Sequence, residues 1–572
     1  MKMVTPKRLL GAVLALALVM PLAACSGNTA SPAASPSASS NGQTGGQTDE
    51  KSYYNATGYP ICDETITVTV SGPNSISNDW NQTVMVKEFE KRLGIKLDCT
   101  SYASSDWETQ LNLMIASDSL PDILCGSSIS LYQSKVWGED GYFLDMSKYL
   151  ELMPNLEALF ESNPSYKATF TTDTGAVYGL NQINTAAFSG SALTFINNTW
   201  LKNVGKEVPT TVDELYAVLK AFKAQDANGN GDPNDEIPFG YSTGGYAVPD
   251  RTLLDAFGVN SASTDYCLQL DENGKVVLGN MTENYKAYLE FMQTLYKEGL
   301  LDSEAFIQTG SEFLAKGNEG RYGFYGGNEP AVVLGTDVSE DGNWSSVMGL
   351  TSAYNDSQSV TVSSGINGTV RVAVNGKTKY PEAIMRMIDY FYTDEGRSAV
   401  HYGYEGLTFE YVTDSVVNGR APVVVTPADF TGSDYRSEVC VINYGFVLNF
   451  VTSKFEACAS VNYDSITDAQ FDELVSAYGW VAPFYKAFNR TGITRVNAFP
   501  NVAYTDEEEQ ARKSLHTDIR TYLLATKAEF ITGTPSIESG WSAYLAELEK
   551  MGVKELLAIE QAAYDRYAEN LD

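Results

Sequence analysis

The chain is 572 residues long and sets 39 Lys and Arg against 72 Asp and Glu, a formal net charge of −33. Such a field repels phosphate backbones and anionic headgroups, which argues against nucleic-acid binding and polybasic membrane docking. Hydrophobic residues make up 43%, so wholesale disorder is excluded, and only two histidines, His401 and His516, leave little room for His-rich zinc sites or His-based nucleophilic catalysis.

Lys2, Lys7 and Arg8 precede an apolar run from Leu9 to Leu22, the charged and hydrophobic regions of a secretory signal. The run is shorter than the roughly 20 residues a membrane span needs. Leu22-Ala23-Ala24-Cys25 follows and resembles a bacterial lipobox. The expectation is a signal peptide over residues 1–24, cut before Cys25, with a lipid such as palmitate on that cysteine. Residues 26–50 hold no Val, Leu, Ile, Phe, Tyr or Trp. They cannot offset their ordering entropy, so 25–51 reads as a lipidated, flexible tether. Cys62, Cys99, Cys125, Cys267, Cys440 and Cys458 show no CxxC spacing, which leaves a zinc ribbon or thioredoxin-type motif unsupported. Export permits disulfides, and scattered cysteines at apolar positions are equally buried thiols, so the pairing stays open.

The body alternates strands and helices. Thr65–Val70 is a β-branched strand that Ser71-Gly72-Pro73-Asn74 is expected to break. Val86, Phe89 and Leu93 recur at helical spacing from Thr83, and Gly94 stops that helix. Ile95-Lys96-Leu97 begins a second strand, Trp107–Ala116 a second helix, and Ile123-Leu124 a short third strand. This order predicts a parallel α/β sheet. Thr211 and Glu214 form a capping box before a helix whose Val212, Leu215, Leu219 and Phe222 share one face. Pro381–Thr393 is a further helix. Asp506-Glu507-Glu508-Glu509 opens another, where negative charge suits the dipole. Trp541–Tyr567 is helical with an interruption near Gly552.

Several segments together resemble the solute-binding lipoproteins of carbohydrate ABC importers, in their long Gram-positive form. They include Glu88–Ile95, Ala116–Ile123, Gly175-Ala176-Val177-Tyr178-Gly179-Leu180, Ile196–Leu201, Pro209–Leu215, Tyr296–Leu300 and Thr393–Gly396, in the family's order. The resemblance implies a two-lobed periplasmic-binding-protein-like α/β fold of type II, each lobe a mainly parallel sheet flanked by helices. A ligand cleft lies between them. It implies a first lobe of about 52–188 plus 350–400, a second of about 190–349 plus 401–572, and a first crossover within Thr185–Ser191.

Asp226-Ala-Asn228-Gly-Asn230-Gly231-Asp232-Pro-Asn234-Asp235-Glu236 places oxygen side chains at alternate positions around a glycine, as a hard cation requires. The twelfth residue is Ile237, so it is not an EF-hand proper. It resembles the shorter calcium loop of the same binding-protein subset, with one extra residue. That likeness implies a structural Ca2+ on Asp226, Asn228, Asn230 and Glu236, with the Asp232 carbonyl and Asp235 or Asn234 completing the set. The same residues also make an Asn/Gly turn without metal.

A sugar binder needs flat aromatics and short polar side chains, and open α/β sheets bind ligand at the carboxyl ends of strands. The loop after the first strand offers Asn74, Ser75, Asn78, Asp79 and Trp80. Tyr325 and Asn328 follow in the Arg321–Asn328 segment, which in the family faces the cleft. Asn181, Tyr404 and Glu405 flank expected lobe crossings. For each aromatic, core packing is an equal alternative. Trp107, Trp200 and Trp541 are read as helix packing, and both histidines as structural or exposed. The expected function is therefore capture of an oligosaccharide for an ABC permease, without catalysis, by a monomer anchored through Cys25 on the outer face of a bacterial membrane. A non-sugar solute such as a peptide, a docking adhesin, and a surface glycoside hydrolase or lyase with two facing carboxyls are the alternatives.

Overall fold

The structure is a computed structural model. It describes residues 53–571 apart from 77, 185–193, 233, 244–249, 328–329, 336–342, 363–364, 414–419, 433, 443–445, 447–448, 451–457 and 459–460. The leader, Cys25, the tether, Asn328 and the expected first crossover lie outside the described residues. In chain order the strands are β1 (Ile66–Asn74), β2 (Ile95–Ala103), β3 (Ile123–Ser130), β4 (Leu180–Asn184), β5 (Thr194–Asn197), β6 (Ile237–Gly240), β7 (Leu268–Leu270), β8 (Val276–Leu278), β9 (Tyr322–Gly326), β10 (Trp344–Ser346), β11 (Ser359–Val362), β12 (Ile366–Val374), β13 (Phe409–Thr413), β14 (Arg420–Val424), β15 (Asn449–Phe450) and β16 (Thr494–Asn497).

A six-stranded sheet has the order β15-β4-β12-β3-β1-β2. β12 runs antiparallel to both neighbours, while β1 is parallel to β2 and β3, and β15 to β4. Its two faces are covered separately. One carries Val68, Val70, Leu180 and Val372 with Phe89 and the helix Pro381–Tyr390; the other carries Leu124, Ile129, Val370 and Ala373 with the helix Trp107–Ala116. Helix ends follow local chemistry. Thr83 caps the helix Val84–Leu93 through its side chain, and Gly94 closes it at φ 70°.

β1 continues through Gly72 and Pro73, where a break was expected, because its register with β2 holds to Asn74↔Ala103. β3 touches β1 only at Val70 and Ser71, so Pro73 has no ladder bond to lose on that side. Gly72 is required there: a Cβ would stand 2.3 Å from the Cys125 carbonyl oxygen. β3 likewise extends six residues beyond Leu124, to Ser130, and the helix from Pro381 ends at Tyr390.

A second, four-stranded sheet has the order β10-β5-β9-β6, with β6 parallel to β9 and β5 antiparallel to it. One core beside it holds Leu215, Leu219 and Phe222 of the helix Val212–Ala224, and the C-terminal helices Asp506–Thr532, Ile537–Lys550 and Val553–Glu569. The other core holds Phe195, Tyr322 and Tyr325 with the helix Val481–Phe488. Half of the expected capping box forms. Thr211 accepts from the Glu214 amide, but the Glu214 carboxylate takes the Thr210 amide and hydroxyl. Gly552 separates the last two helices at φ 90°, and Trp107, Trp200 and Trp541 are buried as expected.

Two segments pack differently from the expected lobe boundaries. Tyr404, Cys440, Val441, Ile442 and Phe446 enter the first core, and β15 pairs with β4. The helix Asp394–Tyr402 already buries Ala399 and Val400 there, so the chain that follows it stays. Residues 350–362 pack with the second body, Leu350 in one of its cores and Val360 in the other. The ribbon of β11 and β16 lies where the chain passes between the bodies. The six described cysteines are buried free thiols.

Candidate functional site

Parallel β1, β3 and β4 end on one edge of the first sheet at Asn74, Ser130 and Asn184, where antiparallel β12 begins at Ile366. A cavity of about 640 Å3 opens at this edge. Ser130, Leu131, Tyr132, Ile366 and Gly368 wall it from the first body; Arg251, Ser263 and Tyr266 wall it from the second. The connection Ala498–Val502 and Tyr504 closes one side, and Glu509, Arg512, His516 and Arg520 of one helix close another. Its size falls within the roughly 300–1,000 Å3 of small-ligand sites. A second cavity of about 750 Å3, reached by Asn163, Tyr166, Asn355 and Tyr564, shares the wall Ala498–Pro500 with it.

Buried groups fix the first cavity's lining. Glu560, fully buried, accepts from Tyr504 Oη at 2.5 Å, Arg512 Nε at 3.0 Å and Tyr266 Oη at 3.5 Å. Arg512 lies over the Tyr504 ring, 4.4 Å from its centre, and the His516 ring meets Tyr266 edge-on at 4.8 Å. Burial, with Arg512 and Arg520 beside it, pulls His516 down to about 4, so the imidazole is neutral near pH 7. Beneath Arg251, Asp250 takes Lys527 Nζ at 2.6 Å and the hydroxyls of Tyr288 at 2.5 Å and Tyr241 at 3.1 Å. This pins the first turn of the helix Asp250–Ala256. Burial raises Asp255, one turn on, to about 6, against the hydrogen bonds of Thr361 and the Arg251 charge.

The residues expected to touch ligand divide sharply. Trp80, Tyr325 and Tyr404 are 1%, 0% and 2% exposed and present no surface to a solute. Trp80 and Tyr404 lie in the first core and Tyr325 packs between Phe195 and Trp344. Asn181 is fully buried within β4. Asn74, expected in the loop after the first strand, is instead the last residue of β1, and its amide is spent on the Asn78 carbonyl at 2.8 Å and Ser101 Oγ at 3.1 Å. Asn78 donates to the Ser437 carbonyl at 3.0 Å, and Asp79 caps its own turn through the Asn81 amide. Ser75 and Glu405 are exposed. Sequence reasoning missed Ser130–Tyr132, Arg251, Tyr266 and the 498–516 segment. The length of β3 was the one available signal, and it was read short.

In the loop 226–236, Asp226 accepts the amides of Gly229, Asn230 and Gly231. Asn228 and Asn230 donate to the two oxygens of Asp235 at 2.9 and 2.6 Å. Glu236 takes the Ala227 amide on one oxygen, and its other oxygen is buried without a partner. The donors are all oxygen, and the orphaned Glu236 atom fits a hard cation. Among the described residues no group of three His, Cys, Asp or Glu converges as a metal cluster, so a cation here would draw on Asn and main-chain oxygens.

Two sheets of this topology, with a cavity at the strand ends between them, define a two-lobed α/β solute-binding fold. Residues 78–398 match the family model for bacterial extracellular solute-binding proteins, and the chain belongs to that family. It is 28% identical over 522 residues to the fructooligosaccharide ABC transporter substrate-binding protein FusA of Streptococcus pneumoniae, covering 88% of this chain and 90% of that one. The solved structure of FusA with kestose matches at a TM-score of 0.65 and 26% identity, over 88% of this chain and 100% of the chain in that structure. FusA has also been solved as an EF-hand mutant with fructo-nystose, matching at a TM-score of 0.64 and 25% identity, over the same shares of the two chains. An HMO-binding, ABC-transporter-associated solute-binding protein of Bifidobacterium longum infantis shares the fold at a TM-score of 0.67 and 20% identity, over 88% and 99% of the two chains.

Proposed function

We propose that the protein captures an oligosaccharide between its two lobes outside the cell and delivers it to an ABC permease. The observation that carries this is the 640 Å3 cavity walled by both bodies at the strand ends, with ring faces and short hydroxyls in its lining. Tyr132 and Phe499 suit the CH faces of sugars, and Ser263 and Asn501 suit their hydroxyls. Closure about the ribbon β11–β16 would bury the solute. In this reading one lobe comprises 53–184 with 366–450 and the other 194–362 with 458–571. The tether and a lipid on Cys25 hold the body, as a monomer, at the outer face of the membrane. Ca2+ would sit on Asp226, Asn228, Asn230, Asp232, Asp235 and Glu236, pinning the connection from the helix Val212–Ala224 to β6.

The test is thermal unfolding against a panel of oligosaccharides in calcium buffer. One glycan class should raise the midpoint without being cleaved; ligand at 100 times Kd adds about 2.7 kcal/mol. If no sugar shifts the midpoint, or if product appears, the reading fails.

A further inference from the structure

Resting on the oligosaccharide reading above for the kind of solute, we infer that the second cavity is a separate saccharide site, so that one chain holds two solute molecules, one on each side of the wall Ala498–Pro500. At about 750 Å3 the cavity has the size of a small-ligand site. Its polar lining sorts into two groups. The first is already engaged. Asn355 donates to the Asp255 carbonyl at 2.8 Å and to Ser359 Oγ at 2.9 Å, Asn260 donates to the Asn497 carbonyl at 2.9 Å, and the Asp255 carboxylate takes the amide and hydroxyl of Thr361. The second group is not. The hydroxyls of Ser165, Tyr166, Tyr564 and Tyr567 all line the cavity, and none has a hydrogen-bond partner among the described residues. Ser165 and Tyr166 belong to the helix Pro164–Phe170 of the first body, Tyr564 and Tyr567 to the helix Val553–Glu569 that packs on the second. Unengaged hydroxyls therefore enter the cavity from both bodies.

Rings supply the other half of the chemistry. Phe499, Tyr564 and Tyr567 form a row, with neighbouring centres 5.7 and 6.2 Å apart and both pairs inclined by 33°. Such a row offers a broad π surface to CH groups. Leu270, Val496 and Leu571 are 38%, 39% and 37% exposed, and they gather in this one cavity where isolated surface apolar residues would scatter. Among the described lining residues there is no Lys, Arg or His. Ring faces, free hydroxyls and no unengaged charge together match the CH faces and hydroxyl rims of a saccharide. Main chain divides this cavity from the first, because Ala498, Phe499 and Pro500 line both. Each chamber is therefore filled by its own molecule.

Native mass spectrometry of the protein with uncharged trisaccharides built on fructose, glucose and galactose counts the bound molecules. At least one sugar should give two adducts per chain. Tyr166→Phe combined with Tyr564→Phe removes only two hydroxyls and should weaken one adduct by about tenfold, the scale of two neutral hydrogen bonds, while leaving the other unchanged. Gly368→Leu is the converse variant. Gly368 lines the first cavity and not the second, and a Cβ there meets nothing nearer than Asn501 at 3.5 Å, so the larger side chain takes up the cavity's own space. It should remove the adduct that the tyrosine variant spares and leave the one that it weakens. A single adduct, whichever variant removes it, overturns the inference and leaves saccharide capture standing. A second adduct that keeps its full strength in the tyrosine variant is adhesion elsewhere on the surface and overturns it as well. No adduct with any sugar sinks the oligosaccharide reading itself.

Discussion

Glu236 holds the Ala227 amide at 2.9 Å with one carboxylate oxygen and leaves the other buried and unengaged. If that oxygen is a ligand, calcium should raise the unfolding midpoint of the protein and a chelator should lower it. Glu236→Gln should abolish most of that response while changing the calcium-free midpoint little; a parent midpoint indifferent to calcium would reduce the loop to an Asn/Gly turn. His516 carries a second prediction. Its folded value of about 4 lies below the unfolded ~6.5, so unfolding takes up a proton between them, and stability is lost as pH falls through that window. Asp255, raised to about 6, acts in the opposite sense, its contribution being lost as pH rises from ~3.9 to 6. Removing one side of this balance exposes the other: midpoints measured from pH 7 to about 4.5 should fall less steeply in His516→Asn than in the parent. At this scale the sequence was least legible. Asn74 was expected in a loop and lies at the end of β1, and β alternation does not say that the loop after it folds back to take the Asn74 amide on Asn78 and bury Trp80.

Elements were more legible, because their signals are local. Thr83 and Gly94 bracket one helix, the acidic run from Asp506 opens another, and Gly552 splits the tail. The helix Asp506–Thr532 also shows what local signals omit. Its acidic first turn was read as dipole complementarity. It does a further job, since Asp506 lies 2.7 Å from Lys135 on the helix Leu131–Glu139, across from the other body. Lys135 is only 6% exposed and also faces Glu139 at 3.5 Å and Asp173 at 3.6 Å. Lys135→Met would leave three carboxylates facing one another around an apolar side chain. We expect a loss of about 1–3 kcal/mol in urea unfolding, less than a fully buried pair because Asp506 is half exposed. An unchanged midpoint would mean that solvent already screens the cluster.

At the scale of the whole molecule, the two α/β bodies followed from the alternation of strands and helices, but the path between them did not. β12 inserts between β3 and β4 across more than 180 residues of chain, and β15 returns to β4 from further still. Pairings of that span leave no periodic trace, which is why Tyr404, Cys440, Val441, Ile442 and Phe446 were expected in one body and pack in the other. The same long-range assembly seals away Cys62, Cys99, Cys125, Cys267, Cys440 and Cys458, none of them bridged. Burial raises the Cys125 thiol well above its ordinary value and pushes Cys99 and Cys267 up to about 12, so little thiolate exists to react. The folded chain should resist alkylation at all six, and the urea-unfolded chain should take it up at all six by mass. Protection of this kind is lent by the fold and withdrawn with it. Once opened in air, the chain becomes a substrate for oxidation, and random cross-links would bar the way back. A second heating scan should therefore recover the transition under reductant and lose it without, which makes the redox history of a sample part of its measured stability.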